Sequence, residues 1–135
     1  MRMKDLSALR QQIAAFNKER TEAISRTLDT KPYIAAQIYE RYKKCGNTNC
    51  KCAKGELHGP FLWIYQKRKG QKAVSTTVAK EKVKEATELA QRYKTLLSLR
   101  HQIRQTDQKI NTLLNELALQ LEKEITVYVK RNKKA

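Results

Sequence analysis

Cys45-Gly46-Asn47-Thr48-Asn49-Cys50-Lys51-Cys52-Ala53-Lys54-Gly55-Glu56-Leu57-His58 is the stretch around which the 135-residue chain is organised. It holds all three cysteines, one of the two histidines and two of the four glycines, with a third glycine, Gly59, directly after it. The spacing Cys45-x4-Cys50-x-Cys52-x5-His58 offers three sulfurs and one imidazole within a short loop. A structural Zn²⁺ takes four such ligands in a closed tetrahedron. Glycine and asparagine let a loop fold back on itself, which brings the ligands together. The expectation is a Cys₃His zinc knuckle held by Cys45, Cys50, Cys52 and His58.

Other uses of these side chains are weaker. Buried cysteines behave as small hydrophobes, yet the neighbours here are Lys43, Lys44, Asn47, Asn49, Lys51 and Lys54. A disulfide framework meets an odd count and a pair, Cys50 and Cys52, only two residues apart. A reactive thiol remains open, because nearby lysines lower a thiol pKa. Iron–sulfur ligation fits less well, since His is an uncommon cluster ligand.

The formal net charge is +16, and its distribution is uneven. Lys+Arg against Asp+Glu count 7 and 5 in residues 1–40, 12 and 2 in residues 41–84, and 10 and 6 in residues 85–135. Positive charge is thus concentrated on the cysteine loop and the segment that follows. A short basic segment of this kind is the electrostatic footprint of a nucleic-acid-binding surface. Arg41, Lys43, Lys44, Lys51, Lys54, Lys67, Arg68, Lys69 and Lys72 are the expected phosphate contacts, with Trp63 and Tyr65 as stacking residues. A solvated basic face without a specific partner is the plain alternative.

Working outward, residues 4–28 read as an amphipathic helix, with Leu6, Leu9, Ile13, Phe16, Arg20 and Ala23 at three–four spacing. Pro32 closes it. Tyr33 to Lys44 fits a strand or a short helix about equally. Gly59-Pro60 opens the clearest strand, Phe61 to Lys67, and Lys69-Gly70 turns the chain into a second, Ala73 to Val78. Phe61, Trp63 and Tyr65 fall on one face of that hairpin, Leu62 and Ile64 on the other; an aromatic stripe of this kind is equally at home in a core. Residues 79–130 lack Gly and Pro and keep a three–four apolar rhythm from Val83 to Leu121. A helix of that length either bends near Arg104-Gln105-Thr106-Asp107 or pairs with residues 4–28 and with a second chain. Within this helix Ile125 to Val129 is rich in β-branched residues and can fray, and 131–135 read as a disordered basic tail.

The expected architecture is α+β: a small antiparallel β-module with a zinc knuckle, flanked by an N-terminal helix and a long, coiled-coil-like C-terminal helix. Its expected divisions are 1–30, 31–79, 80–130 and 131–135. No apolar run long enough for a membrane span occurs and no signal-peptide pattern opens the chain, so the expectation is a cytoplasmic protein, nucleoid-associated if it binds DNA.

Enzymatic chemistry finds little footing. The central segment offers only Glu56 and Glu81 as carboxylates, too few for a metal-dependent nuclease. No GxxxxGK[ST] phosphate loop occurs. A Cys–His nucleophile pair requires that the metal reading fail. The expectation is a non-enzymatic nucleic-acid-binding protein, on duplex DNA ahead of RNA, and a homodimer through its helices. The rival is a structural or adaptor protein whose helices capture a partner such as a recombinase.

Arg41-Tyr42-Lys43-Lys44-Cys45-Gly46, Cys50-Lys51-Cys52-Ala53-Lys54-Gly55 and His58-Gly59-Pro60-Phe61 together resemble a widespread prokaryotic family of short proteins of unknown function. Its members read roughly RYRRCGxxxCxCxxGxxHGPYY, and the likeness spans about residues 38–100. Phe61 stands where that family often has Tyr, which leaves the ligand set intact. The resemblance implies an association with mobile elements, hence a DNA-related role beside a recombinase or transposase, and implies nothing about catalysis. A small sheet with a basic hairpin followed by a helix is also similar in architecture to the DNA-binding modules of some phage integrases, with no shared motif.

Overall fold

The computed structural model describes residues 5–44, 46–50 and 55–130. Of the residues singled out above, Cys45, Lys51, Cys52 and Lys54 and the tail 131–135 lie outside the described residues. The element order is α1 (Leu6–Leu28), β1 (Gln37–Lys43), β2 (His58–Gln66), β3 (Val74–Thr77) and α2 (Val83–Leu121). Short 3₁₀ turns occupy Lys80–Lys82 and Ile125–Val127. The architecture is α+β. The chain divides into two compact units, Met1–Arg26 with Arg100–Ala135, and Thr27–Leu99.

In the first unit, α1 starts where Asp5 caps it. The Asp5 carboxylate accepts the Ala8 N–H at 2.7 Å, which satisfies a donor that a helix start leaves orphaned, and the Asp5 carbonyl accepts the Leu9 N–H at 3.0 Å as the first intrahelical bond. The three–four stripe of α1 is its inner face: Leu9 and Ala23 are buried, and Leu6, Ile13, Phe16 and Arg20 are half-buried. The second half of α2 runs against it in the opposite sense. Arg20 pairs with Asp107 at 2.5 Å, whereas Phe16, one turn earlier, lies under the Lys109 ammonium at 5.3 Å, further along α2. Thr106 and Leu113, seven apart, are buried on the facing stripe. The Thr106 hydroxyl donates to the Gln102 carbonyl at 2.8 Å, so this buried polar atom is satisfied within its own helix.

In the second unit, the three strands form one antiparallel sheet in the order β1-β2-β3. The segment that reads equally as strand or helix is resolved: residues 37–43 are a strand, because β2 offers a paired edge and Ile38 alternates with exposed Gln37 and Tyr39. Ahead of it, residues 32–36 are pinned to the start of α2. Arg92 donates to the Pro32 carbonyl at 2.9 Å, the Tyr33 and Tyr93 rings stack at 5.5 Å, and the Ile34 N–H meets the Leu89 carbonyl at 3.3 Å. Ala36 and Ala86 are buried here, small residues that suit close approach of backbone to helix.

The long C-terminal helix is a single uninterrupted element from Val83 to Leu121, with no break near Arg104–Asp107. It is shorter than the expected 79–130. Two physical effects end it. Its last turn carries no basic residue to complement the helix dipole, and Glu122 and Glu124 follow immediately. Ile125, Thr126, Val127 and Val129 are β-branched and lose rotamer freedom in a helix. Among the described residues no helix is long and apolar enough to cross a membrane.

Candidate metal centre and basic surface

The His-Gly-Pro step is where the fold builds its most specific local geometry. Register runs residue by residue from Gln37↔Tyr65 to Arg41↔Phe61, then jumps to Lys43↔His58. Tyr42 therefore faces two residues, Gly59 and Pro60, which makes a β-bulge on β2. Bulges admit proline, whose missing N–H would break a ladder elsewhere. Gly59 has φ +141, and a Cβ placed there would lie 2.9 Å from the Arg41 carbonyl oxygen and 2.9 Å from the Tyr42 ring. Only glycine fits that conformation and that space.

The bulge aims His58 back at the cysteine loop. There the Asn47 side chain accepts the Asn49 N–H at 3.0 Å and the Asn47 carbonyl accepts that of Cys50 at 3.2 Å. This Asx-type turn reverses the chain and delivers Cys50 to the imidazole: Cys50 Sγ lies 2.9 Å from His58 Nε2. Two tetrahedral zinc ligands of this type sit about 3.5 Å apart, from bond lengths of ~2.3 and ~2.0 Å. The pair is within a small side-chain movement of that spacing. Among the described residues no group of three or more His, Cys, Asp or Glu gathers. The other two expected ligands, Cys45 and Cys52, are outside them.

Next to His58, the sheet carries an aromatic face capped by cations. Pairing places Tyr39, Arg41, Phe61, Trp63 and Tyr65 on one side. The Arg41 guanidinium lies 4.6 Å and the Lys43 ammonium 4.8 Å from the Trp63 ring centre, with Lys43 also 5.9 Å from that of Phe61. Each such contact is worth ~0.5–1 kcal/mol at an exposed site. It also orients the cation while leaving its outer side in water. Arg41, Lys43 and the following Lys44 are all exposed. Trp63 itself is half-buried, and its indole N–H is enclosed with no hydrogen-bond partner among the described residues. Arg41 and Lys43 therefore compete with any base for the Trp63 ring. Tyr65 is half-buried on the same side, and Tyr39 bonds Ser75 across the sheet at 2.9 Å.

Lys67, Arg68, Lys69 and Lys72 are also exposed, but they sit elsewhere. They occupy the β2–β3 loop, closed by the Gln71 N–H on the Arg68 carbonyl at 3.0 Å and by Gly70 at φ +79. β2 begins at His58 beside Lys43 and ends at Gln66 beside Val74. Its nine residues, at ~3.3 Å each, separate the two ends by about 26 Å. The basic residues therefore form two poles, one of Arg41, Lys43 and Lys44 next to the Cys50–His58 pair, and one at the hairpin tip. Sequence spacing alone merges them. Sequence reading also misses Phe61 as a partner of Lys43, because the register that sets Lys43 beside the start of β2 exists only when β1 pairs with β2.

The model for the domain of unknown function DUF6788 matches residues 4–88. The chain belongs to this family. The match takes in α1, the sheet with its cysteine loop, and the first residues of α2, so the family segment contains every candidate site residue. No curated protein and no solved structure matches the chain.

Proposed function

We propose that this DUF6788 protein is a small, zinc-stabilised nucleic-acid-binding protein that acts on duplex DNA ahead of RNA and performs no catalysis. The observation that carries the reading is the pole at the start of β2. There three exposed cations, two of them held over aromatic rings, lie beside a cysteine and a histidine in near-ligand contact. Zn²⁺ bound by Cys45, Cys50, Cys52 and His58 fixes the loop that carries Lys51 and Lys54 and so completes this pole. A small unit with little aromatic mass gains from such a staple.

Affinity comes mainly from phosphates. Cations fanned over Trp63 and Phe61 suit phosphate oxygens better than base edges, and the hairpin pole adds Lys67, Arg68, Lys69 and Lys72 about 26 Å away, the rise of roughly eight base pairs. An extended duplex offers phosphates at both places at once, which is the ground for placing DNA first. Association with a mobile element and its recombinase or transposase follows from the prokaryotic family that the motif resembles.

Fluorescence anisotropy with labelled duplex DNA, single-stranded DNA and RNA tests the reading. Salt-sensitive binding led by duplex DNA is the expected result. A ranking led by RNA replaces the ligand. No binding to any of the three at low salt defeats the reading and favours an adaptor that captures a protein partner.

A further inference from the structure

We propose that residues Ile110, Leu114, Leu117 and Leu121 of α2 form a self-pairing surface, through which two copies of this chain associate with their α2 helices antiparallel. The stripe adjoins the seam that α1 covers. Leu113 is buried on that seam, whereas Leu114 and Leu121 are 45% and 50% exposed, and Ile110 and Leu117 are half-buried between the two. One helix is therefore apolar over a wider arc than its single described neighbour covers. An apolar stripe of ~100° is what one packing partner needs.

The occupant is a second copy for two reasons. First, the spacing 110-114-117-121 reads four, three, four, the same in both directions. Turned antiparallel about its midpoint, the stripe meets its own image, with Ile110 opposite Leu121 and Leu114 opposite Leu117. That is the self-complementarity an isologous two-fold interface requires. Second, the charge is right. Residues 110–122 contain no Lys or Arg, the longest such run in a chain of net charge +16. Two highly basic chains repel almost everywhere else on their surfaces. The same lack of cations makes this stretch the least suited to a nucleic acid. The open flank of the stripe carries Asn111 and Ala118, uncharged and in one case small, and neither opposes close approach of the helices.

Four aliphatic side chains per copy bury less than the ~1,200 Å² of a tight interface, so the dimer is weak and concentration-dependent. Repulsion between basic chains is screened by salt. Association therefore strengthens with added salt, the reverse of phosphate binding. The proposal does not depend on the nucleic-acid reading.

The test is sedimentation equilibrium of the full chain from about 5 to 200 µM at low and at ~0.5 M salt. The expected mass rises from 15.7 kDa toward twice that value, further at high salt. The double variant Leu114→Lys, Leu121→Lys is expected to stay monomeric with an unchanged helical circular dichroism signal, since both positions are exposed. A wild-type monomer at the highest concentration and salt overturns the proposal, as does a dimer that survives both substitutions. Hydrogen exchange on the wild type supplies a second readout. Amides of residues 110–121 should gain protection with concentration, and equal protection at both ends of the range overturns it.

Discussion

Neutralising the hairpin pole with Lys67→Ala, Arg68→Ala, Lys69→Ala and Lys72→Ala gives a quantitative test of the two-pole surface. Nine cations are assigned to the two poles: Arg41, Lys43, Lys44, Lys51 and Lys54 at the first and Lys67, Arg68, Lys69 and Lys72 at the β2–β3 tip. When each meets one phosphate, log K against log salt has a slope of about −0.9 per contact, hence about −8.1 for the wild type and −4.5 for the variant. Between 50 and 200 mM salt the wild type then loses roughly 75,000-fold in affinity and the variant roughly 500-fold. The four positions are exposed loop residues, so the variant should melt as the wild type does. Anisotropy titrations on a 20-base-pair duplex at four salt concentrations read the slopes directly. The geometry adds an internal control. A duplex of about six base pairs spans ~20 Å and cannot reach both poles, so the wild type on that ligand should show the shallow slope of the variant. A slope unchanged by the four substitutions, or a wild-type slope independent of duplex length, would refute the two-pole account.

Three further outcomes follow from the same structure. Cys50→Ser removes a sulfur that touches His58, and should release zinc, measured by elemental analysis, and lower the melting temperature by more than ~10 °C; retained metal and an unshifted transition would show that Cys50 is no ligand. Gly59→Ala forces a Cβ into the Arg41 carbonyl and the Tyr42 ring at a left-handed φ, and should cost on the order of 1–3 kcal/mol in urea denaturation; a neutral result would place the bulge elsewhere. Asp5→Ala deletes the α1 cap and should cost ~1 kcal/mol by the same measurement, with Asp5→Asn restoring it.

The helices were legible because their stripes are long and regular. Leu6 to Ala23 and Val83 to Leu121 repeat at three and four over many turns, and that periodicity survives any tertiary context. Where α2 stops was harder to read, since Glu122-Lys123-Glu124 suits a helix by propensity and loses only through its position at the negative end of the dipole. Ile38 to Lys43 could not be decided from composition, because Ile, Tyr, Glu and Arg fit either state and pairing with β2 chooses. The candidate site divides the same way. The Cys50–His58 contact was legible from ligand type and loop chemistry. The bulge at Gly59-Pro60, the caging of Trp63 by Arg41 and Lys43, and the split of the basic residues into two poles all depend on register. A strand's length separates Lys43 from Lys67, and no one-dimensional charge count carries that distance.

The central claim is that a metal-held loop presents the first basic pole. It is tested most directly by anisotropy of a labelled 20-base-pair duplex with the purified zinc-loaded protein, before and after a zinc chelator and again after zinc is restored. The account predicts tight binding that falls at least tenfold with the chelator and returns with zinc. Binding indifferent to chelator and to added zinc would contradict it.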